Sequence, residues 1–297
     1  MFLDLVFAAL EQPPALGTEV RAAAFEGAPG GLANVAVALA RLGVDVSLSA
    51  ILGDDLFGRH LWETLERERV DLTYSQRVEG WGTPVTAAIA YGGDRELVTH
   101  ELPLPTDPAA LLPADCEVDA LLVPLAGAEL DWLRALRRHA PLIVADTASE
   151  PWGVDRELFA RKLAHVDVVL PNAPEALAAT GAATLDDALP LLAQTGVLPV
   201  VTCGAEGAVT IDSADGTILQ VPAPRVAVRD TTGAGDVFAA GIVLATLEGL
   251  PLRERLRFAN LCASESVKRL GGSLAAPTLA EVAELWTIGA PEAVQSS

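Results

Sequence analysis

Short runs of apolar, often β-branched residues alternate along the chain with segments whose apolar residues recur every three or four positions. The runs are "VDVSLSAIL" (44–52), "DALLVPL" (119–125), "PLIVAD" (141–146), "VDVVLPN" (166–172) and "LPVVTCG" (198–204). They read as continuously apolar, the pattern of strands buried on both faces of a parallel sheet. Helical periodicity falls between them, near 31–42, 55–69, 129–139, 155–164 and 173–194. This order predicts an α/β fold with a mostly parallel sheet and helices on both sides. "GAVTID" and "GTILQV", joined across Ser213, Ala214 and Asp215, predict a hairpin instead.

Residues 5–29 and 80–104 break this rhythm. They carry extended alternating stretches such as "TPVTAAIAYGGDRELVTHE", with a hairpin-like "GGD" at its middle. Each is too short for a domain, so they are expected to form a small sheet laid over the main one, a lid able to close on a ligand and exclude water. No repeat or linker divides the chain, and residues 1–297 are read as one unit.

The stretch "DTTGAGD" (230–236) precedes "VFAAGIVLATLEG", which has helical spacing and a stop at "GLP". Its glycines therefore sit at a helix N-terminus. Backbone N–H groups there lack intrahelical partners and the helix dipole adds positive charge, so the place suits an anion, above all phosphate. Asp236 stands in the first turn beside it. Gly30 and Gly31 in "APGGLANVAVALARLG" (28–43) precede a helix whose first turn carries Asn34. They fit an ordinary turn, or close backbone approach to a polyol with Asn34 bonding its hydroxyls. In "PNAPE" (171–175), Asn172 and Glu175 fit either a helix cap or a pair that orients metal-bound water.

Charge narrows the partners. Twenty Lys+Arg against forty Asp+Glu leave a net charge of −20, a field that repels nucleic acid. A nucleotide would need local amides and a divalent cation. Walker A chemistry is excluded, because neither lysine, Lys162 or Lys268, follows a glycine. The dinucleotide fingerprint fails where Phe238 replaces its last small residue. No apolar run is long enough to span a membrane, and Asp4 stands where a signal peptide needs positive charge. The three dispersed cysteines fit neither a disulfide framework nor a zinc site, so a reducing cytoplasm is expected.

"GGLANVAVALARLG", "GDDLFG" (53–58), "PNAPE", "VTCGAEG" (201–207) and "DTTGAGDVFAAG" (230–241), in this order, resemble the ribokinase-like (phosphofructokinase-B type) carbohydrate kinases over nearly the whole chain. The resemblance implies a three-layer ribokinase-like fold with a small β-sheet lid, and an ATP-dependent kinase acting on a hydroxymethyl group. Asp236 would be the catalytic base, and the amides of Gly233, Ala234 and Gly235 the anion hole for the transferring phosphoryl group. Asp4, Gly30, Gly31 and Asn34 match sugar-binding positions. Thr202, Gly204 and Gly207 would line the nucleotide, Asn260 would lie near adenine, and Asn172 with Glu175 would place magnesium through water. Asp230, Thr232, Ser266 and Gly271 sit where ligands of a monovalent cation such as potassium come from. A homodimer through the lid sheet is a further expectation.

The sequence departs from the family at its start, where Asp4 is three residues from Met1. The first strand, expected near the sheet centre, is largely missing, so either a misassigned start or a trimmed sheet edge is expected. Leu32, where a lysine would suit an anionic substrate, favours an uncharged sugar, fructose-like ketoses ahead of ribose, with sugar acids open. A nucleoside is the alternative, since "AAIAY" could wall a base. A non-catalytic ligand sensor on the same fold is the other.

Overall fold

The computed structural model describes residues 1–91, 94–105, 111–147 and 155–288. Two sheets organise them. In the small one, β1 (Phe2–Leu10) pairs antiparallel with β2 (Ala22–Gly30) and parallel with β5 (Val85–Tyr91), and β6 (Asp94–His100) completes the order β2-β1-β5-β6. The two alternating regions thus form one sheet. The Gly92–Gly93 tip lies outside the described residues.

Among the described residues no strand before β7 (Ala120–Pro124) joins the large sheet, so the central first strand expected of the family has no counterpart there. β1 begins at Phe2 and belongs to the small sheet, tied in by the Leu3 amide, which donates to Pro84 O at 2.9 Å. The segment 44–52 also differs. Only Ile51–Gly53 (β3) is a regular strand, paired with β4 (Gln76–Val78) in a separate two-stranded sheet. Asp45, Ser47 and Ser49 alternate with apolar neighbours, so the segment has one wet face and does not suit a strand covered on both sides.

The large sheet runs β12-β11-β10-β9-β8-β7. Its strands β7 (Ala120–Pro124), β8 (Leu142–Asp146), β9 (Val168–Leu170) and β10 (Leu198–Thr202) are parallel. β11 (Ala208–Ile211) and β12 (Ile218–Val221) add the expected antiparallel hairpin. Side-chain parity divides the core. Val144, Val168, Leu170 and Val200 face one layer with α1 (Leu32–Arg41), α7 (Ala234–Leu247), α8 (Leu252–Ser266) and α9 (Leu279–Ile288). Ile143, Ala145, Val169 and Val201 face the other, with α3 (Leu130–Leu136), α4 (Arg156–Leu163), α5 (Ala173–Thr180) and α6 (Leu185–Ala193). The long helix expected over 173–194 is two, because Gly181 caps α5 in the left-handed region at φ 73° and Thr184 caps α6.

The motif "GDDLFG" proves to be a joint between layers. Asp55 caps α2 (Leu56–Arg67), accepting from the Gly58 amide at 2.7 Å, and also accepts the Thr83 amide and hydroxyl at 2.8 Å. Burial pushes its carboxyl up, but these hydrogen bonds outweigh that and hold it below the ordinary carboxylate value. Glycine is obligatory at position 58, where a Cβ would lie 2.0 Å from Gly53 O.

Helices α7 and α8 approach so closely that a Cβ on Gly241 would sit 2.7 Å from Ala259 Cα. Alanine is the better helix former by about 1 kcal/mol. Overpacking typically costs about 1–3 kcal/mol, however, and here it falls on rigid backbone. Gly241→Ala is expected to lower the melting temperature; a melt at or above wild type would show that the two helices separate without cost.

Candidate active site

The parallel strands end together. β8 closes at Asp146, β9 runs into Asn172, and Asn172 bridges to Thr202 at the end of β10, whose amide donates to Pro171 O at 3.0 Å. Ligands of open α/β sheets bind outside these carboxyl ends. Asn172 and Glu175 form a capping box on α5: Asn172 Oδ1 accepts the Glu175 amide and Glu175 Oε2 accepts the Asn172 amide, both at 2.9 Å. Thr147 Oγ1 donates to the same Oε2 at 2.6 Å. Sequence reasoning missed Thr147; its only signal was a hydroxyl just past the strand "PLIVAD".

Beyond β10 the chain makes a 3-10 turn, Gly204–Glu206, and re-enters the sheet through Gly207. Gly207 has φ 92° and a Cβ there would lie 2.1 Å from Val221 O, so only glycine closes this corner. Past Val221 a groove of about 450 Å³ opens between Pro222, Pro224, Leu261 and Trp286. Asn260 is not among the residues that line it. Its side chain is buried and donates to Val221 O at 2.9 Å, supporting the groove wall from behind.

The start of α7 carries the glycines of "DTTGAGD". Gly233 is its N-cap in the left-handed region, φ 70°, and a Cβ there would meet the backbone of Gly272 and Ser273 at 3.2 Å. Gly235 is different: its backbone is helical and a Cβ would face open space. Nothing in the surrounding fold therefore demands glycine at position 235. The Ala234 amide makes a long turn bond to Thr231 O at 3.3 Å, whereas those of Gly233 and Gly235 find no acceptor among the described residues.

The second glycine pair meets this site. A Cβ on Gly30 would fall 2.5 Å from the Asp4 carboxylate, and Gly31 caps α1 at φ 61° and ψ −145°. Asn34, buried in the first turn of α1, donates from Nδ2 to Asp236 Oδ2 at 3.0 Å. Residues 202 positions apart thus touch at the junction of two helix starts.

Comparison with known proteins decides the class. The model of the pfkB family carbohydrate kinases matches residues 2–279. The chain belongs to this family. It is 32% identical over 266 residues to an uncharacterized sugar kinase, YeiI, of Escherichia coli, covering 83% of this chain and 70% of that protein. It is 30% identical over 292 residues to the ribokinase of Bacillus subtilis, covering 95% and 96%. A putative ribokinase from Agrobacterium tumefaciens superposes with a TM-score of 0.81 at 26% identity, covering 97% and 95%. The protein is an ATP-dependent carbohydrate kinase with a ribokinase-like fold.

In this kinase the suggested cation ligands are only partly gathered. Asp230 Oδ1 accepts the Thr232 amide at 2.9 Å and its Oδ2 the Gly271 amide at 3.2 Å, pinning the loop before α7 to the end of α8. The Ser266 hydroxyl donates to Ala263 O at 2.8 Å. Among the described residues no three His, Cys, Asp or Glu side chains gather as a metal cage.

Two glycine variants separate folding from phosphate binding. Gly233→Ala is expected to destabilise the kinase by about 1–2 kcal/mol from its left-handed backbone alone. Gly235→Val should fold, yet lose ATP affinity because its methyls fill the space before the amides. Thermal melts and ATP titrations check both; wild-type ATP affinity in Gly235→Val would remove these amides from phosphate binding.

Proposed function

We propose that this kinase transfers the γ-phosphoryl group of ATP to a hydroxymethyl group of a small unphosphorylated sugar, a fructose-like ketose or a sugar acid. The observation that supports this reading is the contact of Asn34 with Asp236, which brings together the starts of two helices that each follow glycines. In the proposed reaction the acceptor oxygen bonds to the γ-phosphorus and the bond to the β–γ bridging oxygen breaks. The hydroxyl proton passes to Asp236 and ADP leaves. Catalysis of this kind is mainly alignment and charge stabilisation, and amides fixed at a helix start need no reorganisation as charge develops.

An unphosphorylated acceptor is supported by the lack of a lysine at position 32 and by the engagement of the chain's two lysines with other groups. Leu32 occupies the intervening position, Lys162 is buried in the opposite layer with Nζ on Leu125 O, and Lys268 is paired with Glu265. On the nucleotide side, Thr202, Gly204 and Gly207 would follow the phosphates and ribose, and the groove past Val221 would take the base. Magnesium fits here as an ion held by phosphates, waters and one carboxylate, with Glu175 acting through water. It would neutralise charge on the phosphates. Potassium would fit beside Asp230, Thr232 and Gly271.

A panel of sugars and nucleosides with ATP tests the reading. Turnover is expected with an unphosphorylated sugar, to be lost in excess chelator and to fall roughly 10²–10⁴-fold in Asp236→Asn. No ATP turnover on any acceptor would favour a sensor, and preference for nucleosides would move the acceptor class.

The small sheet would close over the sugar, because water competes for the phosphoryl group. On its edge strand β6, Leu97 and Val98 are adjacent, point to opposite faces and are both exposed, which supports pairing with a second copy of the chain. Saturating sugar is expected to add hydrogen-exchange protection over 80–104, and sedimentation to give a dimer. Unchanged exchange would exclude closure, and a monomer at all concentrations would exclude pairing.

A further inference from the structure

Asn34 carries more than a sugar contact. Its backbone is fixed, with the amide on Gly31 O at 2.9 Å, and α1 packs along α7 through Val35, Leu39 and Val237. Its Nδ2 reaches Asp236 Oδ2 at 3.0 Å, while its Oδ1 is buried without a hydrogen-bond partner. A side-chain amide placed for structure alone would use both ends. Here the carboxylate dictates the orientation, because turning the amide over would set two acceptors face to face.

We propose that Asn34 is a positioning residue for Asp236: its amide fixes the rotation of the carboxylate before the acceptor arrives. This rests on the reading of Asp236 as the base. The anchor is suited to the task, since it stands on a buried helix rather than a loop, and a small error in alignment costs much of the rate. The unpartnered Oδ1 is inaccessible to a ligand, so any hydroxyl met by Asn34 would also meet Nδ2. Acceptor and base are then held by one amide.

Other charges near this junction include Glu26 of β2, whose side chain lies against Gly271. α1 carries only Arg41, at its far end, and the turn Gly271–Ser273 carries none. Near the end of α8, Glu265 is held by Lys268 at 2.6 Å, and Asp230 is held by two amides. Asp4 lies over Gly30.

Asn34→Asp and Asn34→Ala test the proposal. In Asn34→Asp two carboxylates about 3 Å apart cannot both ionise readily, so one proton is shared. The acid limb of the kcat profile should move up by about one pH unit or more. The shared proton raises a folded-state pKa, so that stabilisation is present at low pH and lost as pH rises. The melting temperature of this variant, relative to wild type, should therefore fall as pH rises from about 4 and level off above the raised pKa. Asn34→Ala should lower kcat by roughly 10–10²-fold, with a smaller change in sugar KM. An unmoved acid limb with a flat melting difference would overturn the proposal, as would an alanine variant that raises only KM. The melting measurement needs no turnover, so it fails independently of the base assignment, which fails if Asp236→Asn retains near-normal activity.

Discussion

Helix α7 is apolar around its whole circumference, and Val237, Phe238, Ala240, Ile242 and Val243 are all buried. Such a helix has no stable place except between other elements. It is held by the sheet, by α1, and by α8 at a contact where Gly241 meets Ala259 without room for a methyl. Its N-terminus, with the Gly233 and Gly235 amides unpaired among the described residues and with Asp236, inherits that rigidity. The polar end of a helix gains precision here because the rest of it cannot move. The Gly233 contact with Gly272 and Ser273 fixes the same end from outside, and Asp230 pins the loop leading into it.

The features legible in the sequence were those that local chemistry fixes at short spacing. Glycines before an apolar helix, an amide and a carboxylate three residues apart, and continuous apolar strands each leave a local trace. The capping box on α5 and four of the five expected strands follow from such traces. "VDVSLSAIL" misled because its serines alternate, a one-sided pattern inside an apolar run. The helix break at Gly181 was hidden by flanking alanines and threonines that tolerate a helix.

What the sequence could not disclose is long-range meeting. Nothing in residues 28–43 indicates that Asn34 will touch a residue 202 positions later, nor does "RFAN" indicate that Asn260 will bond Val221 O. The two glycines of "GAG" look equivalent in the string. Yet Gly233 is demanded by φ and crowding, whereas a Cβ at Gly235 would face open space. Ser273, fully buried with an unpartnered hydroxyl beside this turn, left no local trace either.

The division of the large sheet by parity bears on how this chain can change over generations. Ile143 and Val144, or Val168 and Val169, are neighbours that serve opposite layers. Inserting or deleting one residue within β8, β9 or β10 would exchange the two sets, presenting each helical layer with side chains shaped for the other. Substitutions in these strands can be accepted singly, but changes in length cannot. Growth and shrinkage are thereby confined to the connections. At the carboxyl ends of the strands those connections carry Asn172, Thr202 and the turns after them, so the rigid interior leaves this outer face as the part free to diversify.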